Sequence, residues 1–130
     1  MIIYRSEDIE EEVRLALKDY FTVYVRPLPA HFQVPSLFIT AAGGNTRNTI
    51  DTFTVTISAR AETDAEASEL LRTALGTLEA EGQKQTGALR NVTINSLATW
   101  GSDPARPDLK LCTATVLVIA HREVFNIDES

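Results

Sequence analysis

Hydrophobic and polar residues alternate along much of this chain, and the period of the alternation changes from segment to segment. The clearest case runs from Thr52 to Ala61, where apolar side chains occupy every second position and Thr, Ser or Arg occupies the positions between them. Since side chains on a strand point to opposite faces in turn, this pattern predicts a strand with one apolar and one hydroxylated face. Such a strand belongs to a sheet that is packed on a core on one side only.

Two segments have the helical period instead. Ser6 is a candidate N-cap for the first, and Thr63 with Glu66 forms a capping box that opens the second. Gly82 is the expected end of the second helix. The apolar stripe of the first helix consists of Ile9, Val13, Ala16, Leu17 and Tyr20. The stripe of the second consists of Ala67, Leu70, Leu71, Ala74, Leu75 and Leu78.

Four further segments have the composition of strands, namely residues 21–26, 36–41, 89–100 and 109–121. The last of them is apolar on both sides at its centre, which predicts an interior position in the sheet. The loops predicted between elements are residues 27–35, 43–49 and 101–108, which contain all five prolines and a Gly-Gly pair.

The predicted order is therefore α-β-β-β-α-β-β in a single domain over residues 1–130, with a tail at 123–130 that has weak order signals. Two helices packed on one face of a mainly antiparallel five-stranded sheet is the economical α+β architecture for this order. A chain of 130 residues is long enough to bury one core without disulfides or metals.

Charge and composition narrow the possible partners. The formal net charge is −6, and the twelve Lys and Arg residues are scattered singly, so the sequence predicts no specific nucleic-acid binding. Neither a secretory signal nor an apolar stretch of about 20 residues is present, so no membrane association is expected. Cys112 lies in an apolar run and is predicted to be a small buried hydrophobe rather than a reactive thiol.

No pattern in the chain predicts a catalytic site, a cofactor or a metal ion. Neither a phosphate-binding loop nor a nucleophile elbow occurs, and His31 and His121 have no partner at a catalytic or metal-ligand spacing. The consecutive residues Glu10, Glu11 and Glu12 fan around the first helix, which is typical of a solvated face. The chain is therefore predicted not to be an enzyme.

The sequence does contain residues that are suited to a polar contact surface between subunits. These interface candidates are Arg26, Arg47, Thr52, Thr54, Thr56, Ser58, Arg60, Trp100 and Arg106. The alternatives are that the threonines only fill an exposed strand face, where Thr is common, and that Trp100 lies in the core rather than at an interface.

The layout of these elements resembles a known family. The features that carry the resemblance are the helix at 6–20, Val25-Arg26-Pro27-Leu28-Pro29, Pro35-Ser36-Leu37-Phe38-Ile39, Phe53-Thr54-Val55-Thr56-Ile57, the helix at 63–78 and the final strand after Asp108. This arrangement is similar to the tail terminator, or tail completion, proteins of long-tailed bacteriophages and prophages, which have a proline-broken first hairpin and a central helix between strand pairs.

The resemblance implies a homo-oligomeric ring, usually a hexamer, that stops polymerisation of the tail tube and forms the face that joins the head. Such a protein binds tail tube protein on one side and neck or connector proteins on the other, and performs no chemistry. It resides in the virion and is assembled in the cytoplasm of the host bacterium.

Two other functions fit the same element order. One is a ligand-binding or enzymatic α+β domain of ferredoxin-like type, although the apolar helix stripes supply no polar residues to a pocket between helices and sheet. The other is a general interaction module, such as a regulatory subunit or another head–tail connector component.

Overall fold

The computed structural model describes residues 1–47, 50–84, 87–104 and 106–128, with only the backbone of Ala98. Its elements in chain order are β1 (Ile2–Arg5), α1 (Ile9–Leu17), β2 (Val23–Val25), β3 (Ser36–Arg47), β4 (Ile50–Ala61), α2 (Asp64–Lys84), β5 (Leu89–Ser102), β6 (Lys110–His121) and β7 (Glu123–Asn126).

The strands form two sheets. Five of them make one sheet in the order β2-β3-β4-β6-β5, and β1 pairs with β7 in a separate two-stranded ribbon. All pairs in the large sheet are antiparallel except β2 with β3, which is parallel. The predicted α+β fold with a mainly antiparallel five-stranded sheet is confirmed, and β6 lies inside that sheet as its two-sided apolar pattern predicts.

The core fills the space between the two helices and one face of the large sheet. On β4 and β6, residues in register such as Val55 with Val116 and Ile57 with Ala114 are fully or almost fully buried. The intervening residues of both strands, which face the other way, are half-buried. The largest side chains in the core are Leu17, Leu37, Ile39, Ile57, Leu71 and Leu78.

Both helices are confirmed, but their ends differ from the prediction. Asp8, not Ser6, is the N-cap of α1, where its carboxylate accepts a hydrogen bond from Glu11 N at 3.4 Å. The reason is that β1 extends to Arg5, so the helix begins later. Tyr20 lies beyond the end of α1 and is exposed. Thr63 is the predicted cap of α2, since Glu66 N donates to Thr63 Oγ1 at 3.2 Å. The Glu66 carboxylate accepts from the Thr63 hydroxyl, also at 3.2 Å.

Gly82 does not end α2, which continues to Lys84. A Cβ at Gly82 would lie 3.0 Å from Val92 Cγ2 and 3.2 Å from Val92 N, so glycine allows the helix to pack closely on β5. The glycine at position 82 therefore does not mark a helix end. It is needed because α2 approaches β5 too closely for a side chain.

The region around the first prolines also differs from the expected hairpin. Residues 26–35 carry the chain back so that β3 starts beside β2 and runs in the same direction.

The loop predicted at residues 43–49 is also wrong for residues 43–47. These residues belong to β3, which continues to Arg47 and pairs with β4. Asn48 and Thr49 lie outside the described residues. Gly43 has a positive φ of 113°, beside a register shift in the ladder.

The ribbon of β1 and β7 has no counterpart in the sequence prediction. Ile2 to Arg5 pair in antiparallel register with Glu123 to Asn126, which joins the two ends of the chain. Residues 123–126 of the tail therefore form a strand, although the sequence pattern there is weak. Glu129 and Ser130 lie outside the described residues.

The two glycines of α2 should respond oppositely to alanine. At Gly76 a Cβ would meet nothing within 4 Å, so Gly76→Ala should raise the free energy of unfolding by about 1 kcal/mol through helix propensity alone. Gly82→Ala, the matched variant in the same helix, should lower it because the new methyl group presses on the backbone of β5. Urea unfolding measures both, and equal gains in the two variants would contradict the close packing at Gly82.

Candidate subunit interface

The face of the large sheet that points away from the helices has a continuous band of hydroxyl groups. Thr54, Thr56 and Ser58 of β4 lie there, opposite Leu117, Thr115 and Thr113 of β6. Thr113 Oγ1 donates to Ser58 Oγ at 3.2 Å, and Ser96 of β5 forms a 2.8 Å bond with Thr115 Oγ1. We call this surface, which includes Thr52, the hydroxyl face.

The hydroxyl face has a mixed chemistry. Its hydroxylated residues on β4 and β6 are half-buried by their neighbours on the sheet, whereas Ser96 at the edge is exposed. Phe38, Leu111, Leu117 and Ile119 lie among them. A β-branched hydroxylated residue presents a methyl group beside a hydroxyl group. A flat surface of this kind can therefore pack against apolar atoms and still satisfy hydrogen bonds at its margin.

Arg60 is a structural clamp rather than a free interface side chain. Its Nε donates to Asp103 Oδ2 at 2.9 Å, and the two side chains are only 12% and 8% exposed. The guanidinium also lies 5.6 Å from the ring centres of Phe32 and Phe38. Arg60 thereby connects loop 27–35 and the segment between β5 and β6 to the end of β4. The strand β5 continues through residues 101 and 102, which the sequence predicts as loop.

Arg26 is also engaged, at the junction of α1 with the edge of the sheet. Its Nε donates to Glu10 Oε1 at 3.3 Å, and the other carboxylate oxygen of Glu10 accepts from Ala41 N at 2.8 Å. The second contact satisfies an amide of β3 beyond the end of β2. Burial raises the pKa of Glu10, but the hydrogen bonds from Arg26 and Ala41 and the charge of Arg26 outweigh it, so the net pKa is lowered.

The other three candidates are exposed. Arg47 ends β3, and Arg106 lies between β5 and β6, where it pairs with Asp108 at 3.0 Å. Trp100 lies on β5 and is 54% exposed, so the core position weighed for it is wrong. The register of β5 shifts twice between Ile94 and Thr99, but the two shifts together leave Trp100 opposite the buried Cys112, on the same face of the sheet as Val92. Trp100 is therefore exposed although it lies on the core side of the sheet.

Sequence reasoning missed the ribbon as a candidate surface. Ile2, Tyr4 and Val124 are 67%, 54% and 63% exposed, although a soluble chain usually buries such side chains. The only feature of the sequence that could have indicated the ribbon is the apolar character of residues 2–4 and 124–127. Each strand has only four residues, too few for a period to be read.

Negative charge is concentrated where the ribbon meets α1. Burial and the nearby charges of Glu12 and Glu123 raise the pKa of Glu7. Burial and the charges of Glu11, Glu123 and Asp8 likewise raise the pKa of Glu12. The carboxylates therefore repel one another at neutral pH, and Arg5, which pairs with Glu123, offsets this repulsion in part.

Two buried polar atoms have no hydrogen-bond partner in the described part of the chain, Asp51 Oδ2 and Arg122 Nε. Asp51 is opposite Ala120 on β6, and Arg122 follows the end of that strand. Both therefore lie near the place where the chain leaves the large sheet for the ribbon. This junction is the least satisfied polar region that the structure describes.

Two features of the described residues are relevant to ligand binding or reactivity, a cavity and the thiol of Cys112. A shallow cavity of about 210 Å³ between the helices and the start of β5 is lined by Leu15, Ala16 and Leu89 and by the carboxylates Glu12 and Glu81, among others. Cys112 is buried as predicted, and burial and the charge of Asp64 raise the pKa of its thiol.

Across residues 1–47, 50–84, 87–104 and 106–128, no group of three His, Cys, Asp or Glu side chains is placed to hold a metal ion. Neither helix in these ranges is long and apolar enough to cross a membrane. His31 and His121 are both exposed.

A comparison with protein-family models and with curated proteins finds no match for this chain.

Breaking the Arg60 clamp should destabilise the fold. Arg60→Ala leaves the buried Asp103 carboxylate without its guanidinium partner, and we expect the free energy of unfolding to fall by about 3 kcal/mol. Arg106→Ala is the matched control, because its ion pair with Asp108 is exposed to solvent and should contribute far less than the buried pair. Chemical denaturation measures both, and equal effects would contradict the clamp.

The carboxylates of α1 should have opposite effects on stability at neutral pH. The pKa of Glu12 is raised above its ordinary 4.5, so its ionised form destabilises the fold increasingly as the pH rises from 4.5 through the folded-state pKa. Glu12→Gln should therefore stabilise the protein at pH 7 and lose this advantage below pH 4.5.

Glu10→Gln is the control of opposite sign. The lowered pKa of Glu10 stabilises the fold above 4.5, and this contribution is lost as the pH falls through the folded-state pKa. The variant should therefore be less stable than the parent at pH 7. Urea unfolding at pH 7 and pH 4 measures both variants, and a destabilising Glu12→Gln at pH 7 would contradict the repulsion.

Proposed function

We propose that this protein is a non-enzymatic structural protein of a phage or prophage virion, which caps the tail tube and joins it to the head or neck as a ring. Its partners are further copies of the same chain, with a hexamer as the expected ring, together with tail tube protein and neck or connector proteins. It acts in the virion, after assembly in the host cytoplasm.

The observation that carries the proposal is the hydroxyl face of the large sheet. Both helices pack on the opposite face, so neither helix covers the surface that has Thr54, Thr56 and Ser58 at its centre. The hydrogen bonds of Ser58 and Ser96 with residues of β6 hold hydroxyl groups in fixed positions. A rigid surface of this type loses little conformational entropy on association.

Two further features support the proposal. The layout resembles tail terminator proteins over nearly the whole chain, although the β2–β3 pair is parallel and is not the hairpin expected of that family. A ring also needs two different patches on each subunit, since a head-to-tail contact joins unlike surfaces. The hydroxyl face and the exposed apolar ribbon are two such patches on this chain.

A charged side chain on the hydroxyl face should prevent assembly without unfolding the subunit. Thr56→Arg places a guanidinium at the centre of the proposed contact, and we expect a loss of at least tenfold in the ring fraction measured by light scattering. Thr73→Arg on the exposed side of α2 is the control and should assemble as the parent does. A closed ring that forms equally well with Thr56→Arg would exclude this face from the contact.

The function itself is tested in the phage or prophage that encodes the chain. Disruption of the gene should give tails of irregular and excessive length without heads, as seen by electron microscopy of the lysate, because nothing stops polymerisation of the tube. Supply of the parent chain in trans should restore tails of uniform length, and supply of Thr56→Arg should not. Tails of normal length joined to heads in the disrupted strain would refute the proposal.

A further inference from the structure

The ribbon formed by β1 and β7 is separate from the large sheet, since its two strands pair only with each other. Side chains of Ile2, Tyr4 and Val124 share one of its faces and are more than half exposed. An isolated pair of strands this short is barely stable in water, and a third strand or a packed surface normally supports it. The ribbon therefore has the properties of an element that is completed by a partner.

The hydrogen bonds of the ribbon show which backbone groups are available. Ile127 N donates to Met1 O at 2.8 Å, and the Met1 amino group donates to Ile127 O at 3.3 Å, so these two residues form a bonded pair. Bonded and non-bonded pairs alternate along an antiparallel ladder. The N–H and C=O groups of Ile2 and Tyr4 consequently point away from β7, along the free edge of β1.

The large sheet has one matching free edge in the described residues. The edge strand β5 is interrupted by three register shifts, and β2 has only three residues. By contrast, residues 43–47 of β3 keep an unbroken register with β4, are all exposed, and extend past the end of β2. This segment is long enough to accept the four residues of β1.

We propose that β1 of one copy pairs with residues 43–47 of β3 in the next copy, so that the ribbon extends the neighbour's large sheet. This inference rests on the proposed ring and adds to the packing of the hydroxyl face a second contact between subunits, at the free edge of β3. The donor and acceptor edges are different parts of one chain, so the contact is head-to-tail and can close into a ring. Main-chain hydrogen bonds supply the affinity, as in other cases of strand addition.

Charge supports a second copy of this chain as the occupant. The ribbon is flanked by Glu7, Glu12 and Glu123, whose like charges lie close enough to repel one another. The acceptor segment contains one charged residue, Arg47, which forms no ion pair with any described residue. Docking of the ribbon brings a cation to the excess of carboxylates, which favours this partner over an acidic one.

Disulfide trapping tests the contact. We would mix Tyr4→Cys with Asn45→Cys, and separately with Thr46→Cys, so that both faces of β3 are sampled. Oxidation should give a mixed dimer through one of these pairs at least tenfold faster than Tyr4→Cys with Thr73→Cys, whose cysteine lies on the exposed side of α2. The native Cys112 is buried and provides the same low background in every mixture.

The outcomes separate this inference from the function on which it rests. A closed ring in light scattering without preferential trapping overturns the ribbon contact and leaves the ring proposal intact. Preferential trapping together with tails of normal length in the disrupted strain supports the contact and overturns the proposed function. Trapping no faster than in the Thr73→Cys control, with a monomer at every concentration, overturns the contact.

Discussion

The pairing of β4 with β6 is the constraint on which the rest of the structure depends. The two strands remain in register from Ile50 opposite His121 to Ala61 opposite Lys110, without a bulge. Because the register is unbroken, every apolar residue of one strand faces the same side as its partner. The sheet thereby acquires one face of Val, Ile, Ala and Cys for the helices and one face of hydroxyl groups for solvent or a partner. A slip of one residue would exchange these faces.

Ion pairs, rather than apolar contacts, fasten loops and helix α1 to the margins of the large sheet. At one end, Arg60 and Asp103 fasten two proline-containing loops to the sheet. At the side of β3, Glu10 binds both Arg26 and the amide of Ala41, which connects α1 to the sheet edge. Three of the nine interface candidates are therefore best understood separately from the others: Arg26 and Arg60 support the fold, and Arg106 is paired within its own loop.

The surfaces that remain are of two kinds, and they suit different contacts. The hydroxyl face is broad and held by internal hydrogen bonds, so it favours packing against another surface. The ribbon and the end of β3 are narrow and have unsatisfied backbone groups, so they favour strand addition. Natural sheets usually protect such edges with bulges or charge, as β5 does with its three register shifts. The edge of β3 from Gly43 to Arg47, which has no register shift within it, and the apolar ribbon are therefore informative about assembly.

The sequence by itself determined the elements whose period is long enough to read. The alternation from Thr52 to Ala61, the stripe of α2 and the two-sided apolar centre of β6 each fix a structure locally, since the side-chain period follows directly from backbone geometry. From these the α+β fold, the hydroxyl face and the burial of Cys112 follow.

Only the tertiary structure decided the features that depend on contacts between distant residues. Gly82 has the sequence signal of a helix end, and only its close contact with β5 shows another cause. Trp100 has the alternation of a core residue and lies opposite the buried Cys112, yet its side chain is exposed, because the packing at that end of the sheet leaves it uncovered. The parallel pairing of β2 with β3 and the joining of residues 2–5 to 123–126 leave no local pattern at all. Short strands are stabilised by a partner that is distant in the sequence. They are also too short to show an alternation of apolar and polar residues, so the sequence alone does not predict them.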